Sequence, residues 1–332
     1  MNIIVDAMGG DKPEEIIKGA LLSAKDNGDM RIIVTGDEQL IRSVMAAENA
    51  ADGLIDIVAA DEVITNDDVP TIAVKNKKNS SMVKGCYLLR DDNENIGIIS
   101  SGSTGALLTS ATLILGRLPN IFRPTMVSFL PTVTGGLVAL ADCGANVDSR
   151  PEYLLQYGIM ASHCFSALCG VESPRVALLN VGTEDKKGNT LTHETFPLLK
   201  SSGLNFMGNM EARDACGGNY DVLVADGFDG NILLKSIEGT VSMFSKMLKQ
   251  QIMQSAAAKF GYLFTKGAIN KLKSRMDFNN YGGAVFLGVK KLVIKAHGSS
   301  KAGAIYNSVK QIRSMYDGGV IGKIEQGITP QA

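Results

Sequence analysis

The chain has 332 residues, enough for one large core or two lobes, and 45% of them are apolar, as in an ordinary soluble globule. Its 33 basic and 34 acidic side chains nearly cancel, which removes the overall positive field that nucleic-acid binding exploits. No apolar run approaches a membrane span and no charged-then-apolar leader opens the sequence, so a cytoplasmic protein is expected.

Five cysteines without framework spacing fit a reducing compartment better than disulfides. Cys164 and Cys169 have no second pair or suitable His to complete a zinc site, so no metal and no cofactor are expected.

In chain order, Asn2 to Val5 reads as a strand ended by Asp6-Ala-Met-Gly-Gly-Asp11. Asp11 with Glu14 forms a capping-box pattern before a helix that buries Ile16, Ile17, Ala20, Leu21 and Ala24. Arg31 to Thr35 and Ile55 to Ala60 are the next strands, with a helix opened by Gly36-Asp37 between them. This alternation predicts a parallel sheet with helices on its faces. Thr65 to Asn79 is polar and reads as a loop, and Ser80-Ser81 open a helix to about Leu89, where they cap it or hold an anion.

Ile96 to Ser100 is a strand that runs through Ser101-Gly-Ser-Thr-Gly105 into an apolar helix ending at Leu115. Small residues feeding a helix start make a plausible phosphate cradle, although neither G-x-x-x-x-G-K-[ST] nor G-x-G-x-x-G occurs. Met126 to Leu130 and Leu137 to Ala141 are strands, the second ending in Asp142-Cys-Gly-Ala-Asn146. A helix follows from Pro151 to Leu168, then a strand from Arg175 to Val181 that delivers Gly182-Thr-Glu-Asp-Lys-Lys-Gly-Asn189.

Phe206 to Asn209 is a further short strand. Val222 to Ala225 is a buried run broken by Asp226-Gly-Phe-Asp-Gly-Asn231, with a helix expected from Ile232 onward. Two late strands surround Gly288-Val-Lys-Lys, His297-Gly-Ser-Ser300 leads into a helix from Ala302 to Met315, and the tail after Asp317 is expected to be loose. Between Glu238 and Asp277 there is no acidic residue, while seven basic ones mix with Phe260, Leu263 and Phe264. Residues 243–278 therefore read as a basic amphipathic helical excursion, suited to an anionic membrane surface, an acidic partner or a subunit contact.

One glycine turn after a strand is only a turn, but here at least five strand ends carry glycines with Ser, Thr, Asn or Lys. Such donors suit an oxyanion like phosphate. No His–carboxylate pair, nucleophile elbow or metal spacing accompanies them in sequence.

The turns together closely resemble those of the bacterial phosphate acyltransferase family of phospholipid synthesis. The blocks that carry the likeness begin with Val5-Asp-Ala-Met-Gly-Gly-Asp11, Asn79-Ser-Ser-Met82 and Ile99-Ser-Ser-Gly-Ser-Thr-Gly-Ala106. Asp142-Cys-Gly-Ala-Asn-Val-Asp148, Leu178 to Asn189, and Phe206-Met-Gly-Asn-Met-Glu211 follow in family order. Asp226-Gly-Phe-Asp-Gly-Asn231 with Leu234-Lys235, and His297-Gly-Ser-Ser300, complete them. Ser101 and Ser103 stand where the family usually has Ala and Asn, and Cys143 where an aliphatic is usual. Residues 243–278 match least well.

The resemblance implies a single α/β unit over 1–332, a mostly parallel, helix-flanked sheet of the isopropylmalate dehydrogenase-like type, with a helical protrusion. It implies transfer of a long-chain acyl group from acyl carrier protein to inorganic phosphate, in a cytoplasmic homodimer held peripherally at the inner face of the membrane. Lys187 and Asn231 fall on family motif positions and are both donors, so they are the expected catalytic pair, with Asp226 to orient them or receive a proton.

Ser80, Ser81, Gly102, Ser103, Thr104, Asn146, Asn180, Glu184 and His297 are the expected substrate-binding residues. Lys259, Leu263, Phe264 and Lys266 are the expected membrane or partner surface. Two other readings stand beside this one: a metal-dependent hydroxy-acid dehydrogenase of related fold, and a non-catalytic adaptor between acyl carrier protein and membrane.

Overall fold

Asn2–Asp6 (β1) is buried at every position, as a strand covered on both faces requires. Pro13–Asp26 (α1) buries the helix-spaced set expected of it. The carbonyl of Lys12 accepts from the Ile16 amide, so the N-cap is Lys12 and the expected Asp11 cap is one residue too early. Arg31–Gly36 (β2), Glu38–Ala47 (α2, capped by the Asp37 carboxylate) and Asp56–Ala59 (β3) follow.

The computed structural model describes residues 1–26 and 28–328. Its later elements are Pro70–Asn76 (α3), Ser81–Asp91 (α4), Asn95–Ser100 (β4), Thr104–Ser110 (α5, prolonged by a π-turn over Ala111–Leu115), Thr125–Pro131 (β5) and Leu137–Ala141 (β6). Then come Pro151–Cys169 (α6), Arg175–Asn180 (β7), Thr190–Ser201 (α7), Asn205–Glu211 (β8) and Val222–Val224 (β9). Gly227–Gln254 (α8), Ala256–Arg275 (α9), Ala284–Leu287 (β10), Leu292–Lys295 (β11), Ala302–Asp317 (α10) and Val320–Gly327 (α11) complete the chain.

Three further expectations are corrected. The polar stretch 65–79 contains α3, started by Pro70 and anchored by buried Ala73 and Val74. The tail holds α11, which buries Val320 and Ile324 and is followed by buried Ile328. The glycine-rich stretch after β9 is the first turn of α8, which begins at Gly227, ahead of the expected Ile232, with Asp226 as its N-cap.

The strands form one sheet of order β3-β2-β1-β4-β11-β10-β5-β6-β9-β7-β8. The two flanks are parallel throughout, while β11–β10, β10–β5 and β5–β6 are antiparallel, so the flanks run in opposite directions. One register row crosses the middle through Val5, Ile99, Ile294, Val285, Val127, Ala141, Val224 and Leu178. All eight belong to the core under α1, α6 and α10. Their neighbours Ile98, Val293, Phe286, Leu140 and Leu223 face the other core, under α4, α5 and the start of α8.

The chain leaves β4 and β11 one residue beyond that row on one edge, and leaves β6 and β9 at that row on the other. The loops of both flanks thus border the same short central strands. Past Leu234, no described residue of α8 and none of α9 is fully buried, which makes this pair a helical protrusion. No helix is long and apolar enough to cross a membrane among the described residues.

Candidate active site

The loop after β6 is built on one carboxylate. Asp142, fully buried, accepts from the Met126, Ala145 and Asn146 amides at 2.9, 3.2 and 2.7 Å, and from Asn146 Nδ2 at 3.0 Å. Burial pushes its carboxyl above the usual range and the hydrogen bonds oppose that shift. Asn146 Nδ2 also donates to the Pro124 carbonyl at 2.7 Å, tying the loop to the start of β5.

The first turn of α8 lies directly on this loop. A Cβ on Gly227 would fall 2.4 Å from the Asn146 carbonyl oxygen, and one on Gly144 would fall 3.5 Å from Asn231 Cγ. The glycines permit backbone contact, and that contact sets Asn231 beside Gly144. The Asp226 carboxylate accepts from the Asp229 amide at 2.8 Å, and burial raises its pKa.

The loops of the other flank make a second polar assembly. Asp6, Ser100, Lys295 and Ala284 are neighbours in one row on the face opposite Val5 and Ile99. The Ser100 hydroxyl donates to Asp6 Oδ2 at 2.6 Å, and the Met8 amide to Asp6 Oδ1 at 3.2 Å. Lys295 Nζ donates to the Ser101 and Ala296 carbonyls. Burial lowers its pKa to about 8, with Lys235 adding to the fall and Asp6 and Asp11 opposing it.

A cavity of about 910 Å³ spans the central strands between the two assemblies. Asn231, Gly144 and Cys143 line it from one flank, and Thr104, Lys295, His297 and Ser299 from the other. Met126, Leu130, Leu234 and Val241 give it apolar wall, and Lys246, Lys273 and Met276 of the protrusion close one side. Lys235, also on its wall, is paired with Glu238 at 2.7 Å.

Of the residues expected from sequence, Asn231, Thr104 and His297 therefore share this cavity. Ser80 is buried and caps α4, accepting from the Val83 amide and donating to the Lys77 carbonyl at 2.8 Å. Ser81 is buried in the first turn of α4, where its hydroxyl opposes the rise in the Asp6 pKa. Gly102 donates its amide to Ser100 Oγ at 3.1 Å, and Ser103 is a buried residue at the N-cap of α5. Asn146 lines a second cavity of about 580 Å³ with Arg117, Arg123 and Tyr153.

Asn180, Glu184 and Lys187 form a self-bonded loop after β7. Asn180 Nδ2 donates to the Lys187 carbonyl at 2.8 Å and the Lys187 amide to the Glu184 carbonyl at 3.0 Å. The Lys187 side chain is exposed and does not line the large cavity, although β7 adjoins β9 in the sheet. Lys259, Leu263, Phe264 and Lys266 are exposed on α9.

A family model described as "Fatty acid synthesis protein" matches residues 1–323. A phosphate acyltransferase of Geobacillus thermodenitrificans is 46% identical over 98% of both chains, and one of Bacillus licheniformis is 44% identical over 100% of this chain and 99% of its own. This chain belongs to the phosphate acyltransferase family. The fold is shared more widely. The EutD phosphotransacetylase of Staphylococcus aureus aligns over 95% of this chain and 93% of its own, with TM-score 0.60 and 17% identity. A 4-hydroxythreonine-4-phosphate dehydrogenase of Salmonella typhimurium aligns over 94% and 99%, with TM-score 0.52 and 13% identity.

Sequence reasoning names Asp142 and Lys235 only within the resembling blocks, without a place in the site, and does not name Lys295. The period of two along β11 places Lys295 on the same face as Val293, and that was the readable signal. Cys143 lies on the cavity wall, but its thiol is fully buried and bonded to the Met126 carbonyl, and burial raises its pKa, which keeps it protonated and unreactive.

Proposed function

We propose that this chain, a phosphate acyltransferase of fatty acid and phospholipid synthesis, takes a long-chain acyl group from the thioester of acyl carrier protein and places it on inorganic phosphate. The observation that carries the reading is the cavity itself. Hydrogen-bond donors stand at both ends, an apolar wall lies between them, and the chain around it matches phosphate acyltransferases along its whole length.

A phosphate oxygen attacks the thioester carbonyl, the tetrahedral oxyanion collapses, and the carbon–sulfur bond breaks to release the carrier thiolate and acyl phosphate. Phosphate is already anionic near neutral pH and a free thiol has a pKa of about 8.5, so neither a strong base nor a strong acid is required. Alignment and oxyanion stabilisation are the needs that remain.

Asn231 is assigned to the oxyanion, because its amide lines the cavity and has no protein hydrogen bond among the described residues. Lys187, on the loop beside the β9–α8 junction, is assigned as the charge supporting that end; its ammonium forms no ion pair among the described residues. Asp226 holds the first turn of α8 in place for Asn231. Thr104 and His297 serve the opposite wall. The enzyme acts as a homodimer in the cytoplasm, with α9 resting on the anionic inner face of the membrane.

The test is thiol release from acyl carrier protein with and without inorganic phosphate. Release that depends on phosphate supports the reading. Carrier and lipid binding without any phosphate-dependent release would leave the adaptor reading in its place.

A further inference from the structure

We propose that Lys295 seats the acceptor phosphate, so that the cavity wall made by the β4–α5 and β11–α10 loops is the phosphate subsite. The proposal rests on the phosphate acyltransferase reading and deepens it.

Lys295 ends β11 and turns toward the cavity from the floor of the sheet. Lys295 is half-buried, and a cation withdrawn from water in this way ordinarily has a carboxylate beside it. Lys295 forms no ion pair among the described residues, and its ammonium reaches only the Ser101 and Ala296 carbonyls. Carbonyls accept its protons without cancelling its charge. One of its three N–H groups is left over for a ligand.

The neighbouring charges do not fill the gap. Asp6 lies across β4, two strands away, and is already bonded to the Ser100 hydroxyl and the Met8 amide. Lys235 faces the same cavity but is matched by Glu238. Asp6 and Asp11 act on the Lys295 ammonium only from a distance, so no carboxylate touches it, and a bound anion would supply the missing contact.

The other groups on this wall are of the kind a phosphate takes up. The Thr104 and Ser299 hydroxyls and the His297 ring line the same end of the cavity, with His297 Nδ1 and Ser299 Oγ 2.9 Å apart. Behind that lining, on the same two loops, the hydroxyls of Ser101 and Ser300 are buried without a protein partner. Tetrahedral oxygens can collect several such donors at once, whereas an acyl chain offers them no acceptor. The acyl chain is served by the apolar wall of Met126, Leu130 and Val241 instead.

The experiment measures binding of inorganic phosphate alone to the full chain by equilibrium dialysis, beside the kinetics of thiol release. Lys295→Met is expected to weaken phosphate binding and raise the phosphate KM by roughly 10- to 150-fold, the range for losing a hydrogen bond to a charged group. The KM for the acyl donor stays as it was, and Lys295→Arg recovers most of the loss.

A second measurement uses the unaltered chain and needs no variant to fold. Saturating phosphate should slow amine-directed labelling of Lys295, read by peptide mass spectrometry. Unchanged phosphate affinity in a folded Lys295→Met, or equal labelling with and without phosphate, overturns the assignment. If the unaltered chain neither binds phosphate nor releases thiol in its presence, the functional reading itself falls; if it does both while Lys295→Met matches it, only the subsite is wrong.

Discussion

A side chain on Gly230 would fall 1.9 Å from the carbonyl oxygen of Asp142. Helix α8 is therefore laid against the β6 loop by backbone contact, and the position of Asn231 depends on that contact. Gly230→Ala must push the helix start away from the loop. Overpacking of this kind typically costs about 1–3 kcal/mol. Urea unfolding should register that loss, and kcat should fall with it because Asn231 moves. A variant of native stability and native kcat would separate the helix seat from catalysis.

Asn231→Ala isolates the chemistry from the seat. The side chain is exposed and makes no protein hydrogen bond among the described residues, so stability should change by no more than about 0.5 kcal/mol. Loss of one oxyanion donor lowers kcat by about 10²- to 10³-fold. Lys187→Ala should also lower turnover by orders of magnitude with the fold intact, as its side chain is exposed. Steady-state rates of both, beside their urea midpoints, check the pair. Normal turnover in Lys187→Ala would confine that loop to a structural role.

Much of this architecture can be read from the sequence, because strand and helix periods are written in the positions of apolar residues. Leu137–Ala141 and the helix face of α1 are cases where the pattern had no competitor. Gly227 and Gly230 look like turn residues in the sequence, which sets the expected start of α8 too late; in the structure they let a helix touch the Asp142 loop. Helix α3 hid among polar residues since only Ala73 and Val74 of its seven residues are buried.

Reversal of direction between the two flanks of the sheet depends on the β5–β6 and β10–β11 hairpins pairing with each other, a long-range choice no local pattern records. For the same reason the sequence indicated Asn231, His297 and Thr104 but not that Lys295 stands across the cavity from Asn231.

The pH dependence follows from Lys295. Burial lowers its pKa to about 8, with Lys235 contributing to the fall and Asp6 and Asp11 opposing it. Below that pH the ammonium is charged and can hold phosphate; above it the charge is lost, so phosphate affinity weakens as pH rises. The phosphate KM should climb toward about tenfold per pH unit on the alkaline side, displaced upward to the extent that bound phosphate stabilises the ammonium. Lys295→Arg carries a guanidinium that stays charged throughout and should flatten the climb. A flat phosphate KM from pH 7 to 10 in the unaltered chain would contradict this.

The protrusion gives the last prediction. Phe260, Leu263 and Phe264 on α9 are 65, 68 and 78% exposed, and Phe260 and Phe264 stack edge to face at 5.4 Å without covering one another from solvent. Lys259 and Lys266 flank them, and no acidic residue occurs between Glu238 and Asp277. Apolar side chains ringed by lysines suit an anionic bilayer surface, where each basic residue contributes about 1 kcal/mol and several give reversible attachment. Leu263→Glu with Phe264→Glu should abolish sedimentation with phosphatidylglycerol vesicles and leave stability unchanged, since neither side chain is buried. Turnover of soluble acyl donor should also be preserved, because neither residue lines the cavity. Undiminished sedimentation of that double variant would return α9 to a contact between subunits or with acyl carrier protein.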